Sequence, residues 1–218
     1  MYQVCLDHSS TCFSVGKIVC LGRNYAAHIK ELGNAVPDKP VIFMKPATAL
    51  IHDGDQIVIP GYSDDCHFEV ELAVLIGRET KQVSEAEAMK SVAGYGVAID
   101  LTLRDVQSEL KAKGLPWEIA KAFDTSCPVS NFIAPERIED PHNLQLKLWV
   151  NGELKQDGNT GMMMRRIPQI IHEFSQSFTL RPGDILLTGT PEGVGPLQKG
   201  DRVRAELAGL VALNVSVA

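Results

Sequence analysis

No apolar run in this chain approaches the length of about 18 residues that a membrane span needs. The start, MYQVCLDHSS, has neither the basic segment nor the apolar core of a secretory leader. No membrane association is expected, and the protein is expected to stay in the cytoplasm. Clustered positive charge is lacking too: the net charge is −6, and the longest basic run is Arg165 with Arg166. That leaves no electrostatic footprint for nucleic acid. The five cysteines (Cys5, Cys12, Cys20, Cys66, Cys127) are odd in number and contain no C-x-x-C pair. This argues against a disulfide framework and a structural zinc site, so reduced, structural thiols are expected. A repeat of solenoid length and low-complexity linkers are both absent.

What is present is ample material for one core. The chain has 218 residues, 44% of them hydrophobic, which suits a single domain. HDGDQIVIP (52–60), RPGDILLTGT (181–190) and QKGDRVRAEL (198–207) repeat one device, a Gly-Asp turn feeding an aliphatic run. Further strands are expected over 17–22, 40–46, 69–77, 95–101 and 144–154, the last with an Asn-Gly turn near its end. Helical signals are fewer: 24–33, a capping box at Ser84 and Glu87, 102–113 closed by Gly114, and a start near Pro168. Strands do not alternate regularly with long helices, which disfavours a doubly wound parallel sheet. The expected class is α+β, mainly β, with a few short peripheral helices. The loop NAVPDKP (34–40) beside the first short helix is long enough to serve as a lid.

The chemistry starts at HFEVELAVLIG (67–77), an apolar strand carrying Glu69 and Glu71. Alternation puts both on one face, with Cα atoms about 7 Å apart, and Phe68, Val70, Leu72 and Val74 on the other. An isolated E-x-E at a strand end reads as solvated surface. Asp100 in GVAIDLTLRD ends a second apolar strand just before a helix. Three carboxylates from two strand ends form an oxygen-only set suited to Mg²⁺ or Mn²⁺. The set contains no histidine, which disfavours zinc and Fe(II). Lys45, Arg104 and Lys121 are candidate cations for an anionic substrate, and Lys121, among Ala120, Ala122 and Phe123, reads as a partly buried amine.

On the first short helix, His28 and Glu31 stand three apart and share a face. A carboxylate holding one imidazole nitrogen leaves the other free as a base, although such a pair is also an ordinary surface contact. TGTPEGVG (188–195) lacks the Gly-Lys-Ser/Thr ending of a phosphate loop, and Met162 to Met164 read as filling rather than a metal site.

The motifs GRNY-x2-H-x2-E, FMKP-x-TA, H-x-E-x-E-LAV-x-IG, GYGVAIDLT-x-RD-x-Q, W-x3-K-x-FD-x-SCP-x-S, VNGE and GD-x-LLTGTP-x-GVGPL-x-GD stand in this order from residue 17 to the C-terminus. The series resembles the fumarylacetoacetate hydrolase family, in its short single-domain branch of acylpyruvate hydrolases, oxaloacetate decarboxylases and oxaloacetate tautomerases. Residues 1–16 form an extension outside the resemblance, and 17–218 correspond to the catalytic domain.

The resemblance implies a mixed β-sandwich roll, usually a homodimer, with Mg²⁺ or Mn²⁺ held by Glu69, Glu71 and Asp100. It implies that His28 and Glu31 belong to a lid, with Lys121 also catalytic. Lys121, Gln107 and Arg23 would face the substrate, and Thr190 with Gly189 would contact its carboxylate end. The motif's second position, where relatives often have His or Tyr, is Phe68 here, but it points away from the metal. The implied activity is metal-dependent enolate chemistry on a small 2-oxo or 2,4-dioxo acid: acylpyruvate hydrolysis, oxaloacetate decarboxylation or keto-enol tautomerisation. The alternatives are isomerisation or decarboxylation of 2-hydroxyhepta-2,4-diene-1,7-dioate, or an idle carboxylate-binding protein that keeps the fold.

Overall fold

The computed structural model describes residues 2–218. Each Gly-Asp turn closes in the same way. Gly54, Gly183 and Gly200 take φ of 86°, 93° and 90°, a left-handed conformation open to glycine without a steric cost. The aspartate that follows accepts from the backbone N–H three residues earlier: His52 to Asp55 at 2.8 Å, Arg181 to Asp184 at 2.8 Å, Gln198 to Asp201 at 2.7 Å. The strands Gln56–Ile57, Ile185–Leu187 and Arg202–Leu207 begin directly after these turns.

Two five-stranded sheets carry the fold. The central sheet runs in the order Val41–Pro46, Lys17–Gly22, Ile185–Leu187, Val70–Ile76, Val92–Ile99. Lys17–Gly22 lies parallel to Ile185–Leu187, and every other pairing is antiparallel. The second sheet runs Glu153–Asn159, Gln145–Val150, Arg202–Leu207, Val211–Val217, Gln56–Ile57. The mixed β-sandwich roll expected from the sequence is therefore the architecture found.

Both faces of the central sheet are buried. Leu72, Val74, Val97 and Ile99 pack with Leu146, Leu148, Val203 and Ala205 of the second sheet, and with Ile170, Ile171 and Phe174 of the helix Ile167–Ser177. On the opposite face, Ile18, Cys20, Ala73, Leu75 and Leu187 pack with Val4, Val129 and Phe132. Period-2 alternation thus divides one strand between two cores, and burying so many aliphatic side chains at about 1.5–3 kcal/mol each dominates the stabilisation.

Several local expectations are corrected. Cys5 and Cys12 form a disulfide, since the hairpin Gln3–Cys5 with Cys12–Ser14 sets them directly opposite each other. Only Cys20, Cys66 and Cys127 are free, and all three are buried. The extension 1–16 packs on the fold through this hairpin, Met1 lying outside the described residues. The segment 144–154 divides into two strands at Asn151-Gly152. Ser84 makes no side-chain cap, and its helix, Glu85–Ala88, is a single turn. Residues 102 and 103 form a short strand, so that helix is Arg104–Ala112. Among the described residues, no helix is long and apolar enough to cross a membrane.

Candidate metal centre and active site

The strand Val70–Ile76 is buried along its whole length, and Glu69 stands at the break between it and Cys66–Phe68. There the Glu69 carbonyl accepts from the Asp100 N–H at 2.8 Å, tying the two strand ends that bear the acids. Glu69, Glu71 and Asp100 each turn an oxygen into one cluster in which these atoms lie within 4.8 Å of one another. All three are at least 96% buried: Glu69 is 4% exposed, Glu71 2% and Asp100 1%. Their shared face continues into Ala73 and Leu75, while Phe68, Val70, Leu72 and Val74 occupy the opposite core. His67 is outside the cluster, its Nε2 paired with Asp65 at 2.9 Å.

Three cations border these acids. Lys121 Nζ bonds Asp100 Oδ2 at 2.7 Å and Glu69 Oε2 at 2.9 Å. Arg104 pairs with Glu69 and donates to Gln107 Oε1 at 2.9 Å. Lys45 is fully buried, bonding the carbonyls of Leu101, Lys121 and Ser126 and the Ser126 hydroxyl. Its Nζ lies 2.8 Å from Asp100 Oδ1 as an ion pair, yet that oxygen has no hydrogen bond.

Burial pushes the Glu69 carboxyl up, but Arg104 and then Lys121 outweigh it and hold Glu69 well below the usual carboxylate range. Glu71 goes the other way. Burial, then Asp100 and Glu69, push it well above the ordinary value, against Lys121 and the Gly189 N–H. Burial lowers the Lys121 ammonium, yet Asp100 and Glu69 raise it further, so it is held charged.

The donor set fits a divalent ion. Three converging carboxylates supply hard oxygen ligands, Asp100 Oδ1 has no hydrogen bond, and Glu71 is repelled by its acidic neighbours unless a cation sits among them.

Most of the residues singled out from the sequence line one cavity of about 70 Å³, room for a few ordered waters, while Glu31 and Lys45 stand outside its lining. His28, Arg23, Gln107, Lys121, Gly189 and Thr190 line it with the three acids. Glu31 stands behind His28, its Oε2 3.2 Å from His28 Nδ1 and its Oε1 accepting from the Gly193 N–H at 2.9 Å. The helix Ala26–Glu31 thereby brings His28 to the cavity that the triad lines. The Gly189 N–H donates to Glu71 Oε2 at 2.6 Å, so this glycine orients the Glu71 carboxylate. Its φ of 94° and the 2.7 Å that an added Cβ would leave to Asn24 require glycine there. The Thr190 hydroxyl accepts from Gln156 Nε2 at 2.9 Å, while Gln156 Oε1 accepts from the Val70 N–H at 2.8 Å.

Gln156 and Lys111 went unnoticed in the sequence, while Trp117 and Asn34 stood there only as part of the W-x3-K motif and of the loop 34–40, without a role. Gln156 is an isolated polar residue in KQDGN, and only its complete burial marks it. Lys111 lines the cavity with Asn34 and Trp117 but carries no spacing that distinguishes it from a surface lysine.

A two-sheet β fold with a cavity lined by three buried carboxylates is a site whose donor set could hold an oxygen-ligated divalent ion. Residues 17–218 match the family described as fumarylacetoacetate (FAA) hydrolase C-terminal, and the chain belongs to that family. It is 54% identical over 198 residues to oxaloacetate tautomerase YcgM of Escherichia coli K12, covering 90% of each chain. Against the mitochondrial oxaloacetate tautomerase FAHD1 of Bos taurus, identity is 51% over 200 residues, covering 92% of this chain and 90% of the relative. The structure of fumarylpyruvate hydrolase from Pseudomonas aeruginosa, in complex with Mn²⁺ and pyruvate, superposes with a TM-score of 0.95 at 34% identity. That comparison covers 99% of this chain and 95% of the other.

Proposed function

We propose that this protein interconverts the keto and enol forms of oxaloacetate, with a divalent ion held by Glu69, Glu71 and Asp100. The observation that carries the reading is the shared cavity, which the carboxylate triad lines together with His28, itself held by Glu31. When bound, the ion supplies Lewis-acid polarisation of the substrate's 2-oxo and carboxylate oxygens. Mg²⁺ and Mn²⁺ both suit the ligand set.

The chain's own groups then move a proton. Glu31 holds His28 Nδ1, so Nε2 is the nitrogen free to take a proton from C3. Lys121 is kept charged by its carboxylate neighbours and is placed to donate to the 2-oxo oxygen. Loss at C3 and gain at oxygen isomerise the substrate with no leaving group, and proton exchange with solvent then returns His28 and Lys121 to their starting states. The tautomerases among the relatives, similar over nine-tenths of both lengths, support this choice of reaction.

A second reading is acylpyruvate hydrolysis, favoured by the resemblance to the fumarylpyruvate hydrolase structure. It uses the same His28 to take a proton from water rather than from carbon. The two are separated by following enol-oxaloacetate absorbance and fumarylpyruvate cleavage in parallel, with Mg²⁺ and with EDTA. EDTA-sensitive ketonisation well above the buffer rate is expected, with a fall of about 10²–10⁴-fold in His28→Ala. Cleavage of fumarylpyruvate without acceleration of ketonisation would transfer the assignment to hydrolysis, and inactivity on both would sink both readings.

A further inference from the structure

Within the cavity, Arg104 and Lys121 are matched by acids of the triad, but two other cations are not. The helix Arg104–Ala112 carries Arg104, Gln107 and Lys111 at i, i+3 and i+7, on one face, and all three line the cavity. Arg104 is engaged with Glu69, and Gln107 with Arg104. Lys111 reaches past them toward the lid, where its Nζ donates to Asn34 Oδ1 at 2.8 Å. From the other side, Arg23 Nη2 donates to the same oxygen at 3.1 Å.

Arg23 holds a φ of 61° to do so, a left-handed conformation that is uncommon outside glycine. Among the described residues, neither Arg23 nor Lys111 has a carboxylate partner; both share one neutral amide oxygen. An sp² oxygen held between an ammonium and a guanidinium has the surroundings of a carboxylate oxygen. A charged carboxylate makes stronger hydrogen bonds to both donors than an amide does.

We infer that Lys111, together with Arg23, forms a subsite for the second carboxylate of a four-carbon 2-oxo dicarboxylate, and that Lys111 sets the preference for dicarboxylates over 2-oxo monoacids. This rests on the reading of the triad as the anchor of the 2-oxo acid end. With that end anchored, the far carboxylate takes the place of the Asn34 amide oxygen. A monoacid leaves the two cations to Asn34 and gains nothing from them.

The test is calorimetric titration of the Mg²⁺-loaded protein with oxaloacetate, pyruvate and oxalate, using wild type, Lys111→Met and Lys111→Arg. Lys111→Met should weaken oxaloacetate by about 10- to 100-fold, the worth of a charged hydrogen bond. Pyruvate and oxalate, which lack the far carboxylate, should change about twofold at most by the same reasoning. Lys111→Arg should recover most of the discrimination. Equal weakening of all three ligands would make Lys111 a structural residue of the lid, and unchanged oxaloacetate binding would also overturn the subsite. Failure of wild type to bind oxalate overturns the anchoring reading itself, and the subsite with it.

Discussion

Lys45 has no exposed surface, and its ammonium is shared among backbone carbonyls and one oxygen of Asp100. Lys45→Met would strip one oxygen of Asp100 and several buried carbonyls of their cation, leaving Asp100 with Lys121 alone. Breaking a buried pair from one side costs about 3–5 kcal/mol, and urea unfolding of the metal-free protein should show a loss of that order. Glu71 is the opposite case, since its acidic neighbours repel it and one N–H is its recorded hydrogen bond. Glu71→Gln should therefore raise the melting temperature of EDTA-treated protein while abolishing the shift caused by Mg²⁺. The three acids were legible in the sequence because strand alternation and donor chemistry are local properties. Lys45 was visible only as a candidate cation, since its carbonyl partners lie as far as 81 residues away. The Asn34–Lys111 contact spans 77 positions and was hidden for the same reason.

Glu31 is tied to the body of the fold by a bond from an unusual turn. Gly193 has a φ of 94°, and an added Cβ would stand 2.3 Å from the Lys155 carbonyl. Gly193→Ala should displace the N–H that holds Glu31, lowering kcat/KM in a ketonisation assay while leaving the metal-induced thermal shift intact. Helix Ile167–Ser177 has a different dependence: the Ile167 N–H donates to His142 Nε2 at 3.3 Å, which requires that nitrogen to be unprotonated. Burial, then Arg166, lower the His142 pKa, against Asp140. With the folded value below the unfolded value of about 6.5, acidification protonates the unfolded chain first. The stability His142 contributes is complete above that pH and is lost as pH falls through the folded value. His142→Gln, which keeps an acceptor, should flatten the melting temperature against pH below about 6.5. Among the elements, the Gly-Asp turns were legible because glycine conformation and the aspartate bond are set within four residues. Glu85–Ala88 and Glu118–Lys121 are single turns without a capping side chain, formed by packing that no short pattern encodes.

For the molecule as a whole, a ligand that binds only the folded state stabilises it by mass action. Mg²⁺ or Mn²⁺ at about 100 times its Kd should add about 2.7 kcal/mol. At about 2–4 °C per kcal/mol for a chain of this size, that is a rise of roughly 5–10 °C. Scanning calorimetry checks this, and Asp100→Ala should show no rise. The two-sheet architecture was legible in outline, because strands dominate and regular helical alternation is absent. The N-terminal hairpin was not, since its disulfide depends on a cross-strand register that cysteine spacing alone does not encode.

The strand Val70–Ile76 has a hydrogen-bonded neighbour on each side and a packed core against each face, so it has neither an edge nor a surface in water. Amides in such a position exchange with solvent only when the whole fold opens, whereas a six-residue helix at the periphery opens locally at far smaller free energy. The Glu71 amide should exchange slowly and the His28 amide faster, which native-state hydrogen exchange checks. The cavity can therefore open and reclose over a ligand many times within the lifetime of one folded molecule, while the carboxylates at its floor keep their spacing.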